Sequence, residues 1–444
     1  MVQKHKMNLI KEPLTRFIKL ETSGSIILFA VTIAALILAN SPAGDGFQNF
    51  WNNYITISLP GLELSKPILK WINDGLMVIF FFLIGLEIKR EIITGELSHL
   101  KKASLPLFAA IGGMIFPALL FLLFNKGKAG SEGWGIPMAA DIAFSLGILK
   151  LLGKRVPIGL KVFLMAFAII DDLGAVLIIA FFYSTDLTWS YIVIGLVIIV
   201  FLFFLSSHGL YSKYLFFLMG IVVWILFLKS GIHTTIAGVL LAFTIPLKRK
   251  TNSVSFFNKG KEMLNQFVSD CDRNSEKTIL TKNQINIIDE LEDLTEKTAP
   301  PLQYIEHRLH GWVSYLIMPL FALANAGVVF SFSGDTNFGL SINIAMSLIF
   351  GNIIGIFSFS WLTIKLKLAE LPENVTFFQL FGISVLGGLG FTMALFINNL
   401  AYSNPSLINS AKMGILIGSF IAGSLGYLII KLALKDHKNK GVSN

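Results

Sequence analysis

Two adjacent acidic residues lie within one of the most apolar stretches of the chain. Asp171 and Asp172 interrupt residues 163–180, in which every other residue is apolar or glycine. A helix that begins near Pro157 rises 1.5 Å per residue, so both acids lie about 20 Å from its start, close to the middle of a bilayer. A carboxylate at that depth costs about 2.5–3.5 kcal/mol. The pair therefore requires a functional role or, alternatively, structural hydrogen bonds inside a helix bundle.

A third acid, Asp141, follows residues that weaken a continuous helix. Gly133, Gly135 and Pro137 precede it in an apolar stretch, and a similar glycine-rich break covers residues 384–392. Freed backbone groups are tolerated in a membrane only where protein covers them or they line a cavity. The two breaks predict inverted repeats with two broken helices crossing at the midplane, where Asp141 offsets positive helix ends. The alternatives are a simple helix cap and close packing of small residues.

Midplane carboxylates of this kind can hold either a metal ion or protons. Hard cations such as Na⁺ prefer oxygen ligands, which carboxylates and unwound backbone carbonyls supply. Burial and a neighbouring negative charge favour the protonated form of a carboxyl group. Adjacent helix positions differ by about 100°, so one acid can face a cavity and the other a neighbouring helix. If only the ion-loaded and protonated forms reorient across the membrane, the two ions exchange by alternating access.

Two further groups of titratable residues lie at the ends of apolar stretches. Glu87 ends the second stretch, and Glu306, His307 and His310 precede the ninth. Histidine titrates near pH 6.5, so these residues are candidates for a cytoplasmic pH sensor. The alternative is that they are ordinary interfacial charges. Three more polar residues are predicted to bond between helices or to lie at an interface or exit: Asp74, His233 and Asn325.

About twelve membrane-spanning helices are predicted to position these residues. Of 444 residues, 54% are hydrophobic and only 14% charged, and the mean hydropathy is +0.71. A typical soluble domain has about 25% charged residues, so lipid must be the solvent for most of this all-α polytopic chain. The stretches long enough to cross about 30 Å of hydrocarbon are residues 24–40, 71–87, 105–124, 134–152, 162–182, 191–206, 214–228, 232–247, 312–330, 342–361, 380–400 and 407–434.

The placement of basic residues predicts the orientation of these spans. Lys and Arg number 36 against 27 Asp and Glu, a net charge of +9. In a soluble protein this excess would suggest nucleic acid or an anionic membrane as partner, but here most of the basic residues fall on the side that holds both termini. The positive-inside rule then places both termini in the cytoplasm, with lipid and not nucleic acid as the partner. The single cysteine, Cys271, excludes an internal disulfide, and no cofactor is predicted.

Two connections are long enough to carry structure of their own within a single membrane transport domain, residues 1–444. Residues 45–65 alternate apolar and polar side chains around Pro60 and Gly61, which predicts a small external β-hairpin. Residues 248–303 are charged and contain an amphipathic stretch near 285–294, which predicts a cytoplasmic polar insert. That insert is either a solvated, partly disordered loop or a regulatory or partner-binding helix.

At these residues the chain resembles the NhaA family of bacterial Na⁺/H⁺ antiporters. The resemblance covers nearly the whole chain outside the insert and is carried by residues 71–74, 85–91, 110–114, 141–144, 163–175, 229–233, 319–327 and 388–393. It implies a transporter of the inner membrane, not an enzyme, that exchanges cytoplasmic Na⁺ or Li⁺ for external protons. Asp172 then looks like the main Na⁺ ligand, Asp171 its partner in proton exchange, and Asp141 the compensating acid.

The resemblance also implies pH regulation and a homodimer. Glu87, Glu306, His307 and His310 would form a pH-sensing funnel on the cytoplasmic side. The external hairpin would make the contact between two copies.

Three departures from the family pattern accompany this resemblance. Well-studied members carry a lysine in the tenth span, credited with pairing to the acid corresponding to Asp171, whereas this chain has Asn352. Ala140 stands where a threonine often precedes the crossing acid, and the insert is far longer than the loop expected there. Exchange should survive these changes because both midplane acids remain, while the proton stoichiometry and pH profile are open.

Three other functions fit parts of the pattern. An intramembrane aspartyl protease would also place acids on separate spans, but its Gly-x-Gly-Asp motif is broken here because Phe391 follows Gly390. A channel could use the same acids and would conduct without proton counterflow. A transporter of an organic anion would favour a cationic residue at the site, which the predicted midplane lacks.

Overall fold

The protein is a helical bundle with one small sheet, as seen in a computed structural model. The structure describes residues 24–59, 62–184, 186–248, 252–269, 280–329 and 337–440. The N-terminal segment and the predicted hairpin turn at Pro60 and Gly61 lie outside these ranges. The first helices are α1 (Gly24–Ala39), α2 (Gly44–Asn52), α3 (Ile68–Trp71), α4 (Met77–Thr94), α5 (Leu100–Phe124), α6 (Ile142–Leu151), α7 (Ile158–Phe182), α8 (Trp189–Ser207), α9 (Lys213–Ser230) and α10 (Thr235–Thr244).

The second part of the chain continues in the same way. Its helices are α11 (Ser253–Ser269), α12 (Lys282–Thr298), α13 (Pro301–Trp312), α14 (Met318–Asn325), α15 (Phe338–Met346), α16 (Asn352–Lys365), α17 (Phe377–Leu386), α18 (Phe391–Ala401) and α19 (Pro405–Lys440). Three π-helical turns join neighbouring helices: Ile72–Leu76, Val313–Ile317 and Ser347–Gly351. A 3₁₀ segment, Ser131–Met138, precedes α6.

Seven helices of the described residues are long and apolar enough to cross a membrane, or up to nine if each of two bent pairs is one span. The bent pairs are α1 with α2, at 111°, and α17 with α18, at 40°. Several other predicted spans are divided by π turns or contain short helices, such as α10 with 10 residues. A count of twelve and an inverted repeat therefore remain predictions.

The predicted hairpin is present, although it is shorter than residues 45–65. Strands β1 (Tyr54–Leu59) and β2 (Leu62–Pro67) pair antiparallel, with Tyr54 opposite Pro67 and Leu59 opposite Leu62. Helix α2 occupies the first part of the predicted range because the aromatic residues Phe47 and Trp51 pack edge to face and bury that helix against the bundle.

Close helix packing brings α16 to the centre of the bundle. A Cβ atom at Gly112 of α5 would overlap the carbonyl oxygen of Gly355, so only glycine lets these two helices approach so closely. The same contact places Asn352, the first residue of α16, beside Gly113. Asn352 is fully buried there.

The insert contains a pair of helices, α11 and α12, packed on each other. Thr281 and Gln284 form a reciprocal capping box that starts α12. The amide of Leu302 donates to the carbonyl oxygen of Pro246 over 3.2 Å, so the chain leaves and re-enters the bundle at one point. Of the two interpretations of the insert, ordered helices agree with the structure over residues 253–269 and 282–298.

Candidate ion-binding site

Two interrupted helices meet where residues 139–141 pass residues 387–390. The backbone amide of Asp141 donates to the carbonyl oxygen of Leu389 over 2.6 Å. A Cβ atom at Gly390 would lie 2.6 Å from the carbonyl oxygen of Ala139, so a side chain there would force the two segments apart. We refer to this contact between the two segments as the crossing.

The carboxylate of Asp141 binds the N-termini of both helices that leave the crossing. Its Oδ1 accepts from the amide of Phe144 over 3.2 Å and so caps α6. Its Oδ2 accepts from the amide of Thr392 over 2.9 Å and from the Thr392 hydroxyl over 2.5 Å, in the first turn of α18. One buried acid thus offsets the partial positive charges of two helix ends.

Neutral side chains bind the opposite, negative helix ends. The Asn352 amide nitrogen Nδ2 donates to the carbonyl oxygen of Pro137 over 3.2 Å and to that of Leu348 over 3.0 Å. The Ser145 hydroxyl donates to the carbonyl oxygen of Leu386, the last residue of α17, over 3.4 Å. Only the bonds to Pro137 and Leu386 reach the ends of the interrupted segments, because Leu348 lies one turn before Asn352 in the same helix. Where well-studied members of the family carry a charged lysine, this chain therefore offers those two carbonyls neutral donors.

Asp171 and Asp172 point to different surroundings although both belong to α7. Asp171 is 1% exposed, and its Oδ2 accepts from the backbone amide of Ala140 over 2.7 Å. Its Oδ1 accepts no hydrogen bond within the part of the chain that the structure describes. Asp172 is 4% exposed and lines a cavity on another side of the helix. The bond from Ala140 uses its backbone, so it does not depend on the missing threonine hydroxyl.

The cavity next to Asp172 is about 50 Å³ in volume and reaches several of the predicted site residues. Its polar lining comes from Ser25, Glu87, Asp141, Asp172, His310, Ser314 and Thr392. A cavity of this size holds a few water molecules or a cation that keeps part of its hydration shell. Two of the three acids predicted at the midplane, Asp141 and Asp172, therefore line the same cavity, which we call the chamber.

The predicted pH-sensing residues gather at one end of this chamber, with one exception. Arg90 binds Glu306 over 2.5 Å and its sequence neighbour Glu91 over 2.9 Å. Glu306 and Glu87 are buried, and His310 lines the cavity together with Glu87. His307 is exposed on the other side of α13.

A network of amide side chains closes the bundle near the hairpin. Asn73 and Asn325 exchange two hydrogen bonds, over 3.3 and 3.0 Å, and Asn399 donates to Asn325 over 2.7 Å. The prediction that Asn325 bonds between helices is confirmed. Nearby, Lys66 pairs with Asp74 over 2.8 Å, and the His233 ring lies 3.9 Å from that carboxylate.

Sequence reasoning missed three polar partners of the site. Thr392 lies inside the predicted break, so its position was available, but its bond to Asp141 joins residues 251 apart in sequence. Arg90 lies at the end of an apolar stretch, where a charge is ordinary, and Ser145 gave no signal. The π turns were missed as well, although Ser347–Gly351 directly precedes Asn352 and π turns are frequent at functional sites.

Comparison with known proteins agrees with this architecture. The sequence model of the family described as Na+/H+ antiporter 1 matches residues 15–430. The Na(+)/H(+) antiporter NhaA of Bacteroides thetaiotaomicron is 44% identical over 440 residues, which cover 97% of this chain and 100% of that protein.

Relatives in other bacteria are similar over comparable lengths. The Na(+)/H(+) antiporter NhaA of Oleidesulfovibrio alaskensis is 44% identical over 428 residues, or 96% of this chain and 95% of the relative. That of Wolinella succinogenes is 41% identical over 434 residues, or 97% and 95%. The family consists of multi-pass membrane transporters and not of enzymes. This chain belongs to the Na⁺/H⁺ antiporter 1 family.

Proposed function

We propose that this protein exports Na⁺ or Li⁺ from the cytoplasm in exchange for external protons, by alternating access at Asp171 and Asp172. The observation that carries the proposal is the division between these two acids. Asp172 lines the chamber together with Asp141, whereas Asp171 binds the backbone of the crossing. An ion that enters the chamber meets Asp172. A change of charge at this site is also felt by Asp171, which binds the backbone of the broken helices through the Ala140 amide.

Asp172 is the proposed ligand of the transported cation. Hard cations prefer carboxylate, hydroxyl and carbonyl oxygens, all of which occur around the chamber. Asp141 is engaged in three hydrogen bonds that cap two helices, so its carboxylate is held in place and acts as a fixed negative charge. A single Na⁺ is then attracted by the charges of Asp141 and Asp172, but only Asp172 binds and releases it.

Asp171 is the proposed link between proton binding and helix movement. Its buried Oδ1 accepts no hydrogen bond among the described residues, and leaving a buried charged acceptor without a partner is unfavourable. A proton on this oxygen removes the charge. It also weakens the bond from the Ala140 amide, because hydrogen bonds to a charged carboxylate are about twice as strong as those to a neutral group. Loss or gain of the proton therefore changes how tightly α7 is held to the crossing.

Two protons displaced by one Na⁺ give a net movement of one charge. With both acids ionised, the Na⁺-loaded site carries one negative charge, and with both protonated it is neutral. Asn352 adds hydrogen bonds but no charge, so the two acids alone set this difference. We therefore propose electrogenic exchange even without a lysine in α16.

The chamber entrance is the proposed site of pH regulation. Glu87, Glu306 and His310 are buried or line the chamber, and Arg90 balances part of their charge. Protonation of these acids would leave Arg90 less fully paired and loosen the contact between α4 and α13. His307 faces away and is given a minor role.

The proposal places both termini in the cytoplasm of a bacterial inner membrane, with the hairpin outside. Tyr54, Ile55 and Ile57 of β1 are exposed, and a two-stranded sheet has free edges that can pair with a second copy. These features support a homodimer through the hairpin. Reversing its apolar surface with Ile55→Lys and Ile57→Lys should convert dimers to monomers in size-exclusion chromatography with light scattering.

Proteoliposomes provide the test of the exchange itself. A Na⁺ gradient should drive opposite proton movement in wild type, reported by an internal pH dye, and Asp172→Asn should abolish it. Asp289→Asn, on exposed α12, is the matched control and should keep full flux. Na⁺ movement without proton counterflow would indicate a channel, and full exchange by Asp172→Asn would refute the proposed site.

A further inference from the structure

Helix α11 of the insert carries an exposed apolar stripe. Val254, Phe257, Leu264 and Val268 are 68%, 67%, 56% and 68% exposed, so no described residue covers them. Their spacing of three, seven and four residues places them on one face of the helix. We call these four residues the apolar stripe.

The apolar stripe is half of a wider apolar band. Phe256, Met263 and Phe267, each next in sequence to a stripe residue, are half-buried in the helix that packs on α12. Successive residues are about 100° apart, so the two rows together occupy about half of the circumference of α11. Helix α12 covers one row and leaves the other open.

Charge is divided unequally between the two helices. Lys248, Arg249 and Lys250 lie three to five residues before the start of α11, and α11 itself carries Lys259 and Lys261 against one acid, Glu262. Helix α12 instead carries acidic residues, at Asp289, Glu290, Glu292, Asp293 and Glu296. The helix with the open apolar row is thus the basic one.

The start of α11 is held near the end of the bundle. The bond between Leu302 and Pro246 fixes the point at which the insert leaves α10. Ser253 lies five residues after Lys248, and five residues span at most about 18 Å. The first turn of α11 is therefore within reach of the lipid headgroups that surround the ends of the spanning helices.

We propose that α11 lies on the membrane surface, with the apolar stripe inserted at the boundary of headgroups and acyl chains. Its lysines contact the phosphates of anionic lipids, the usual arrangement of a basic amphipathic helix at an interface. The acidic helix α12 then covers the remaining row from the aqueous side. This inference adds a lipid-binding surface and does not depend on the proposed ion exchange.

Lys261 favours lipid over a second copy of the chain as the occupant. At about 100° per residue it falls within the apolar stripe, between Val254 and Val268. In a tight protein interface its charge would be buried without a partner, which is costly. On a bilayer its alkyl chain lies along the apolar surface while the ammonium group reaches the phosphates.

Depth measurements on the full chain test the proposal. In a Cys271→Ser background, spin labels are placed at Phe257→Cys or Val268→Cys in the stripe, and at Glu262→Cys on the polar face as control. The protein is reconstituted in phosphatidylethanolamine vesicles containing phosphatidylglycerol. Stripe labels should collide with membrane-dissolved oxygen and be shielded from an aqueous nickel chelate, and the control label should behave in the opposite way.

Charge removal provides a second, independent readout. Lys259→Gln and Lys261→Gln should each lower the ratio of inserted to free label about fivefold with phosphatidylglycerol, because one lysine near an anionic surface contributes about 1 kcal/mol. Lys282→Gln, on α12, should leave that ratio unchanged, and all variants should match wild type in phosphatidylcholine. Stripe labels that remain open to the chelate would overturn the proposal. Spin–spin coupling between stripe labels of two copies would overturn it in favour of a dimer contact.

Discussion

Asp171 and Asp172 are neighbours in sequence but differ in what surrounds them. Asp172 lines the chamber, which has room for water or an ion, whereas Asp171 is enclosed and bound to the Ala140 amide. A rotation of about 100° between successive helix positions is sufficient for this difference. In the proposed mechanism, the side of α7 that carries Asp172 exchanges ligands, while the side that carries Asp171 is bound to the backbone of the crossing.

A similar contrast exists between the two ends of the crossing. The positive helix ends meet a charged group, Asp141, whereas the negative ends meet the neutral side chains of Asn352 and Ser145. The contrast supports the proposed division, in which Asp172 meets the ion and Asp171 couples α7 to the crossing.

The largest effects are expected when one of the paired acids loses its charge. Asp172→Asn and Asp171→Asn should each reduce Na⁺-driven proton flux to that of protein-free liposomes. Their Na⁺ binding should differ, because only Asp172 lines the chamber. Calorimetry should detect Na⁺ binding to Asp171→Asn and none to Asp172→Asn. Equal binding by both variants would contradict the proposal that only Asp172 binds the ion.

The pH dependence of Na⁺ binding tests in the wild type whether Asp171 and Asp172 both release a proton when Na⁺ binds. Each proton that Na⁺ displaces should weaken the apparent Na⁺ affinity about tenfold per pH unit on the acidic side. Two acids that titrate together predict a steeper slope for wild type than for Asp171→Asn. Identical slopes would mean that Asp171 does not release a proton when Na⁺ binds.

The role of the enclosed acid, Asp171, is tested by replacing Asn352 with the lysine that well-studied members of the family carry. We expect wild-type flux to respond to an imposed membrane potential, since one net charge is worth about 2.3 kcal/mol per 100 mV. Asn352→Lys should keep this response and need more acidic conditions to protonate Asp171, because a nearby cation favours the carboxylate. A response only in Asn352→Lys would show that the residue at position 352 sets the coupling.

A smaller effect is expected from the cap that joins the two broken helices. Thr392→Val removes the hydroxyl bond to Asp141 and should lower stability by about 1.5–3 kcal/mol, the usual contribution of a hydrogen bond to a charged group. The midpoint of thermal unfolding in detergent measures the loss. Thr392→Ser keeps the hydroxyl and should unfold near the wild-type temperature. If Thr392→Ser unfolds at as low a temperature as Thr392→Val, the loss of stability comes from side-chain packing and not from the hydrogen bond.

The smallest effects are expected at the chamber entrance. Glu306→Gln breaks the ion pair with Arg90 and should shift the pH at which flux is half-maximal without lowering the maximal flux. His307→Ala should shift it less, because that ring is exposed to solvent and makes no ion pair with Arg90 or Glu306 in the described residues. The two variants are compared by flux across a pH series. A larger shift from His307→Ala would contradict the proposed sensor.

Local patterns allowed much of this structure to be predicted. The alternation in Tyr54–Leu59 identified β1, and the glycines and proline before Asp141 identified a broken span. The three midplane acids were found because charge inside an apolar stretch is rare. Each of these features is expressed within a few neighbouring residues.

Features that depend on distant contacts could not be predicted in the same way. The pairing of Arg90 with Glu306 spans 216 residues, and the amide bonds of Asn73 with Asn325 span 252. The π turns arise where helix packing forces an extra residue into a turn. In the insert, the amphipathic stretch identified α12. The apolar band of α11 consists of two rows, and the sequence does not tell which of them α12 covers.

The shared carboxylate of Asp141 has a consequence for biosynthesis. Its partner Thr392 follows 251 residues later. At synthesis rates of about 5–20 residues per second, this separation corresponds to a delay of roughly ten to fifty seconds. During that interval α6 is in the membrane with half of its acid unpaired. Assembly of the crossing is therefore a late event, and a ribosome that stalls before residue 392 releases a chain whose first half cannot complete its own centre.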